Sequence, residues 1–440
     1  MSSEKVSIAS VTKLIYRYPS FYGMEKFDHG VPVIRGEHLN DQGSISTVWT
    51  DYWFVSSDYS AKYPKTVLEE HDVVMSVRGS VGTFNRVGKS HVGVQISPNL
   101  IRLVPDPKKI YPPFFYYALR NDEVIAQIKG SVASSAVPAL KASDIKSAQL
   151  HLPAPAVQIE AAETLSVIDD RITLLRKTNT TLEAIAQALF KSWFVDFDPV
   201  HAKMQGRVPE GMDEATAALF PDSFEESDLG AVPKGWTVGS VGVIAEVIDC
   251  LHSKKPELIQ SSHPFLQLSN IRDDGLLDTS EVAGISEVDY KKWISRIEAS
   301  EGDCVITNVG RVGAVAQIPA GYKAAMGRNM TAVRLKKEYP FPTYLVELLQ
   351  SPDMRTEIAA KTDVGTILDA LNVRSIPTLR CVLASHGVLS AFESIARPMR
   401  SKMETNIAKI QTLSRVRDTL LPRLISGQLS PNACQATFAT

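Results

Sequence analysis

The chain writes the same pattern twice. The stretch LEEHDVVMSVRGSVGTF (68–84) matches IEASEGDCVITNVGRVGAV (297–315) over its core, with Asp72, Val74, Gly79 and Gly82 each 231 positions before Asp303, Val305, Gly310 and Gly313. Upstream, VPVIRGEHLNDQG (31–43) pairs with HPFLQLSNIRDDG (263–275). Downstream, Asn99-Leu100 pairs with Asn329-Met330, IYPPFFYYAL (110–119) with EYPFPTYLVELL (338–349), and Leu140 and Ile145 with Leu371 and Ile376. A spacing that holds within a few residues over such a span means tandem duplication, so any fold for this chain must be built twice. What recurs is Gly-x-x-Gly-x-hydrophobic after a β-branched run, which reads as a tight turn between two strands.

Each repeat has two parts. The first, about 1–153 and 236–386, is mixed: short β-branched runs such as Val73-Val74-Met75-Ser76-Val77, turn signals, and a helix expected near 113–129 and 342–360. The second part is helical. From Pro155, suited to a first helical position, apolar residues Leu165, Ile168, Ile172 and Leu175, then Asn179, Leu182, Ala186 and Leu189, alternate by three and four as a heptad seam does. The matching seam is Ala396, Met399, Met403, Asn406, Ile410, Leu413, Arg417 and Leu420, ending at Ser426-Gly427, a plausible glycine cap. Pro398 and Pro422 are expected to limit the straight part of this second helix to about 24 residues. Two such helices most simply pack antiparallel, which gives a pseudo-twofold axis and sends the mixed domains to opposite ends. If Leu165 lies level with Leu420, Asn179 meets Asn406, a pairing that pins register at some cost in stability; alternatively either Asn faces solvent. The expected fold class is therefore α+β, a duplicated mixed domain plus long helix, with the helices forming an antiparallel coiled coil. A helix of roughly 40 residues is about 60 Å long, enough for two domains to read DNA patches a helical turn or more apart, since one turn spans about 34–36 Å.

Composition sets the limits. The 440 residues allow two to four domains, and 44% hydrophobic with 22% charged residues is ordinary for a globular protein. The N-terminus MSSEKVSIAS has no basic head and apolar stretch, and no run approaches the roughly 18–20 apolar residues of a membrane span. Cys250, Cys304, Cys381 and Cys434 stand far apart without Cys-x-x-Cys, so neither a metal site nor a disulfide framework is expected and a reducing cytoplasm fits best. The net charge of -2 hides an acidic connector: residues 196–230 hold nine acidic and two basic side chains, while 387–430 hold seven basic against three acidic. Charge thus permits a nucleic-acid partner without demanding one. Gly88-Lys89-Ser90 looks like the end of a phosphate-binding loop, but the position that needs the upstream glycine is Thr83, and the second repeat has no lysine at the corresponding place. An NTPase is not expected.

The central stretch ALFKSWFVDFDPVHAKMQGRVPEGMDEATAALFPDSFEESDLGAVPKGW (188–236) resembles the connector of type I restriction-modification specificity subunits. TLLPRLISGQL (419–429) resembles their distal region, and LPAPAVQIE (152–160) the entry to their first conserved helix. The resemblance covers the whole chain and implies two target-recognition domains (1–153 and 236–386), a central conserved helix (154–195), an acidic connector (196–235), a distal conserved helix (387–430) and a C-terminal tail (431–440). It further implies a non-catalytic subunit whose domains each read half of a bipartite, asymmetric DNA target. The helices would dock two DNA-adenine methyltransferase subunits, and restriction/translocase subunits would complete the complex. No cofactor is expected on this chain; S-adenosylmethionine, ATP and Mg would sit on the partners. Two departures stand out: LASHGVLSAFE (383–393) lacks the prolines of the first copy, which leaves the second helix's start open, and the first domain has no counterpart of VPKGW (232–236).

Candidate DNA-reading residues are polar side chains where the repeats diverge beside shared glycine turns, because such a turn aims a variable side chain. In the first domain they are Arg78, Ser80, Arg86, Lys89, Ser134, Ser135 and Lys141; in the second, Asn308, Arg311, Arg328, Asn329, Thr366 and Arg374. Each competes with an ordinary surface role. Asp196, Asp198 and His201 look like paired carboxylates beside a base, but packing is the plainer reading, as core is for Trp193 and Phe194. Lys254-Lys255 and Lys291-Lys292 read more simply as solvated faces. No catalytic residue is assigned. The competing functions are a stand-alone sequence-specific DNA-binding protein and a protein-binding scaffold of two repeats.

Overall fold

The computed structural model describes residues 3–17, 24–40, 42–77, 82–133, 142–363, 365 and 368–429. They fall into two compact units, Met1–Thr173 with Thr412–Thr440, and Leu174–Gln411. The boundaries cut both long helices, so each unit holds one mixed domain and a part of each helix.

In the first unit a four-stranded antiparallel sheet runs in the order Thr12–Arg17, Leu100–Pro105, Val73–Ser76, Phe84–Arg86. A second sheet orders Trp53–Val55, Val31–Ile34 and Gln95–Ile96, the last pair parallel. Glu4–Ser7 pairs with Gln149–Leu152 and closes the domain at the entry to the first long helix. The second unit repeats this plan. Its four-stranded sheet runs Ala245–Asp249, Met330–Leu335, Cys304–Thr307, Val315–Gln317, its parallel pair is Ile259–Leu266 with Lys323–Met326, and Thr237–Ser240 pairs with Arg380–Leu383. The missing VPKGW counterpart therefore does not change how the first strand enters.

An ion pair to a buried aspartate holds each four-stranded sheet, with the arginine buried in the first copy and partly exposed in the second. Arg102 Nε donates to Asp72 Oδ2 at 2.6 Å, and Asp72 also accepts the Glu69 N–H at 2.8 Å. In the second copy Arg334 grips both oxygens of Asp303 at 2.8 and 2.6 Å, and Asp303 accepts the Ser300 N–H at 2.8 Å. Burial raises the Asp72 pKa, with Arg102 and the backbone hydrogen bond pulling against it. Removing the arginine would strand a buried aspartate in the sheet, the costly case for a buried charge.

The helical stretch expected at 113–129 and 342–360 is in each copy two helices: Pro112–Leu119 then Asp122–Ala133, and Pro342–Gln350 then Pro352–Ala360. The break is local. Ser351 is extended (φ -60°, ψ 153°), caps the Met354 N–H with its hydroxyl, and is followed by Pro352 at the first turn. In the first copy Asn121 Oδ1 accepts the Glu123 N–H at 3.0 Å.

The long helices are Pro155–Phe194 and His386–Ile425, 40 residues each. The second starts without a proline and continues as helix past Pro398 and Pro422. Each proline removes one backbone hydrogen bond, but packing of the apolar stripe, not the single bond, carries most helical stability. Beyond it Gly427 turns left-handed (φ 70°) and the Leu429 N–H reaches Arg423 O. Every expected seam residue is buried or half-buried. In the first unit Leu165 packs with Leu421, Leu424 and Ile425, and Arg417 Nη1 donates to Asp169 Oδ1 at 2.9 Å. In the second, Phe190 meets Phe392 edge-on at 5.8 Å, and Asn406 Nδ2 donates to Asn179 Oδ1 at 2.8 Å while Asn179 Nδ2 donates to Met403 O at 3.0 Å. Within each unit, residues early on one helix thus meet residues late on the other: the pair is antiparallel and in the expected register.

The acidic connector folds into the second unit. Val200, Phe220 and Trp236 join Phe190, Trp193 and Phe194 in its largest core, with Trp193 edge-on to Phe220 at 5.0 Å. Its aromatic residues, not its charges, decide its structure. Among the described residues no helix is long and apolar enough to cross a membrane.

Candidate nucleic-acid interface

The shared glycines among the described residues sit in turns, as their spacing implies, and Gly79 lies outside those residues. Gly82, Gly310 and Gly313 have φ of 89°, 90° and 79°, a conformation that side-chain-bearing residues rarely adopt. A Cβ at Gly313 would stand 3.1 Å from Ile358. Beside the second domain's turn opens a cavity of about 700 Å³ with Arg272, Asp273, Arg311, Gln350, Arg355 and Asp369 on its walls. Arg311 is exposed but anchored: Nη1 donates to Ile271 O at 2.7 Å and Nη2 pairs with the solvent-facing Asp273. Gln350 Nε2 donates to Asp273 O at 3.1 Å, and Arg272 forks onto the Asp274 carboxylate at 2.9 and 3.1 Å, a bond that raises its pKa. Three guanidinium groups at one recess, those of Arg272 and Arg311 bonded in place beside the glycine turns and that of Arg355 carried by the helix Pro352–Ala360, can meet phosphates or the acceptor edge of guanine.

A second recess of about 300 Å³ is lined by Lys255, Gln267, Ser269, Trp293, Arg328 and Asn329. Arg328 and Asn329 are exposed, Asn329 is left-handed (φ 67°), and Lys255 Nζ donates to Gln267 Oε1 at 2.9 Å. Asn308 needs a correction. It is buried, its Nδ2 donates to Leu371 O at 3.2 Å and its Oδ1 accepts from Thr331 at 2.8 Å, so its side chain fastens the loop from inside. Arg374 is exposed on the short 3₁₀ stretch Val373–Thr378, whose start is capped by Asn372.

In the first domain Arg86 and Arg120 both lie against the Tyr116 ring, 5.6 and 5.4 Å from its centre. Lys89 is exposed on a single 3₁₀ turn, and Gly88 before it has an ordinary φ of -94°, so this stretch lacks the geometry of a phosphate loop. Lys26 and Arg35 approach Trp53 at 3.8 and 4.4 Å, and Trp49 stands partly exposed nearby in sequence, tilted against Tyr52. Burial lowers the His38 pKa, so this buried ring, stacked on Tyr52 at 3.9 Å, adds no charge near neutrality. Sequence reasoning passed over Lys26, Arg35, Arg272 and Arg355; the first two lie before the shared turn, and only contact with Trp53 marks them. Arg78, Ser80, Ser134, Ser135, Lys141 and Thr366 lie outside the described residues.

The remaining residues singled out from sequence are structural. Asp196 pairs with Lys191, Asp198 opens the helix Asp198–Met204, His201 packs on Phe224, and Trp193 and Phe194 are core. Lys291 pairs with Glu287 one turn away. Asp249, Cys250 and His252 bring possible ligand atoms within 4.8 Å of one another, but Asp249 Oδ2 already bonds His252 at 2.8 Å and Arg296 at 3.4 Å, and burial raises the Cys250 pKa.

Known proteins fit this arrangement. Residues 3–184, the first domain and most of the first helix, match the family described as Type I restriction modification DNA specificity domain. The HindI specificity subunit of Haemophilus influenzae is 23% identical over 413 residues, 83% of this chain and 88% of that one. Over most of its length the chain is thus similar to a type I restriction-modification specificity subunit. The MjaIX specificity subunit of Methanocaldococcus jannaschii is 26% identical over 325 residues, 72% of this chain and 68% of that one. A crystal structure of the S subunit from M. genitalium covers 96% of both chains at 16% identity with a TM-score of 0.57, which supports the same fold.

Proposed function

We propose that this chain is the specificity subunit of a type I restriction-modification complex, that each mixed domain reads one half of a bipartite, asymmetric DNA target, and that the long helices set the gap between halves. In this reading the helices also dock two DNA-adenine methyltransferase subunits, with restriction/translocase subunits joining the complex, and S-adenosylmethionine, ATP and Mg are bound by those partners. The observation that carries it is one strand plan in two copies with different polar side chains around the turns: Arg272, Arg311 and Arg355 at one recess in the second domain, Arg86 and Arg120 on Tyr116 in the first. A common frame with divergent readers suits two unlike half-sites. Arg86, Lys89, Arg311, Arg328, Asn329 and Arg374 remain its candidate readers among the described residues.

The test is a map of N6-methyladenine in a host expressing this chain with its cognate methyltransferase, against the methyltransferase alone. A split motif that depends on this chain is expected. Within it, Arg311→Ala should relax one position of one half-site by roughly 1–3 kcal/mol, the worth of a bidentate base contact. Absence of any motif while the two proteins still co-purify would favour the scaffold reading. Tight, specific DNA binding by the chain alone would favour a stand-alone binder.

A further inference from the structure

The turn that carries the candidate readers is held differently in the two domains. In both, a left-handed glycine offers its carbonyl to the same neighbouring strand. The Arg86 N–H donates to Gly43 O at 3.1 Å, and the Gln317 N–H to Gly275 O at 2.9 Å. The second donor on that carbonyl differs. On Gly43 it is the hydroxyl of Tyr116, at 3.4 Å, from the domain's own helix. On Gly275 it is Nη2 of Arg400, a buried residue of the long helix His386–Ile425.

Around Gly275 the packing leaves little slack. A Cβ there would stand 2.4 Å from Gln350 Oε1, and Gln350 also holds Asp273 O. Arg311 bonds the same turn at Ile271 O and Asp273. A displacement of Gly275 therefore moves the atoms that aim Arg311 into the cavity. Among the described residues no hydrogen bond joins Gly43 to either long helix; Tyr116 and Arg120, which hold that turn, belong to the domain itself.

From these contacts we infer that Arg400 is a positioning residue for sequence selection: the spacer helix, through Arg400 and the Gly275 turn, sets the register of the second domain's readers, while the first domain's readers are set within that domain. The inference rests on the DNA-reading role proposed above for the Arg311 recess. It predicts that a residue touching no DNA alters one half-site only.

The experiment compares methylation maps of the assembled complex carrying wild-type chain, Arg400→Gln, Arg400→Lys, Asp169→Asn and Arg311→Ala. Asp169 occupies the position 231 residues before Arg400 on the first long helix. Arg400→Gln should cut discrimination at one or more positions of the second half-site by about tenfold, a single base contact's worth, and leave the first half-site intact. Arg400→Lys, which keeps the charge in a more forgiving side chain, should recover part of it. Asp169→Asn should leave both half-sites as they are. Equal relaxation of both half-sites by Arg400→Gln and Arg400→Lys would mean general loosening and overturn the inference. So would wild-type selectivity in both variants when Arg311→Ala relaxes the second half-site. Should Arg311→Ala itself change nothing, the reading role of the recess fails and the inference falls with it.

Discussion

Tyr117 and Glu347 stand at matching places in the two repeats, each on the helix that leans against the long pair, yet their surroundings carry opposite charge. Tyr117 donates its hydroxyl to Asp169 at 3.0 Å, and Arg417 from the other long helix completes the row. Glu347 is buried, faces the cation Arg400 and the carboxylate of Glu183, and burial pushes its pKa up to about 7. The caps differ in the same sense. Neutral Gln158 accepts the Tyr111 N–H at 2.9 Å in the first unit, whereas the Glu393 carboxylate accepts the Thr343 and Tyr344 N–H groups and the Thr343 hydroxyl in the second. One backbone plan thus tolerates two electrostatic solutions, because what the fold needs at a joint is a satisfied polar row, not a particular sign.

The largest effect expected from breaking this comparison is at Arg417. Its guanidinium is nearly buried between Asp169 and Asp418. Arg417→Ala leaves Asp169 half-buried without its cation and should destabilise the first unit by about 3 kcal/mol, the lower range for breaking a buried pair. Denaturant unfolding measures it. A loss under about 1 kcal/mol would make the pair a surface contact in energetic terms.

Next comes the pH response of the second joint. A carboxyl whose folded pKa lies above its unfolded value supports the fold fully below pH about 4.5, and that support is lost as pH rises through about 7. Glu347→Gln should therefore match wild type near pH 4.5 and exceed it at pH 8, by on the order of 2–3 kcal/mol. Tyr117→Phe, its counterpart, should lower stability by about 1 kcal/mol alike at both pH values, since burial drives the Tyr117 pKa far above that window. Melting curves at the two pH values decide. Parallel pH profiles for wild type and Glu347→Gln would show that Arg400 already neutralises Glu347 as an ion.

Much of the frame is legible in the sequence because it is periodic or written twice. The seam from Leu165 to Leu189 declares itself by heptad spacing, and once one level is fixed the meeting of Asn179 with Asn406 follows by counting. Asp72 and Asp303 recur with the strands, but their partners Arg102 and Arg334 are invisible beforehand: the ion pair closes across a sheet, and nothing local marks one arginine of many. The prolines do not end the helix His386–Ile425, because the rule that proline ends a helix is local and the apolar stripe along it is not. The connector misleads through its charge count, which conceals the aromatic residues that bury it. At the site, divergence beside a shared turn finds Arg311 and Arg328, which are exposed, and equally Asn308, which is not. A polar loop residue reads the same whether it faces a ligand or its own backbone, so only packing separates the two. Arg400 shows the converse: in sequence it is one more charged helix residue.

The smallest effect is expected where the sequence looks most suggestive. Gly82 and Gly313 are required by a positive φ, but Gly88 is not: its φ is ordinary and an added Cβ would meet nothing within 4 Å. Lys89 beside it is exposed and free of the glycine cradle that aims a phosphate-loop lysine. What an exposed lysine on the first domain can still do is neutralise one DNA phosphate. Lys89→Ala in the assembled complex should then weaken binding to every sequence to the same small extent and reduce the salt slope by about 1, leaving the methylated motif unchanged. Binding titrations at several salt concentrations, read beside the methylation map, separate the cases. A changed base preference in the first half-site would make Lys89 a reader on a par with Arg311. Melting that shifts with nucleotide in wild type, and no longer does so in Lys89→Ala, would restore the phosphate loop that the geometry of Gly88 denies.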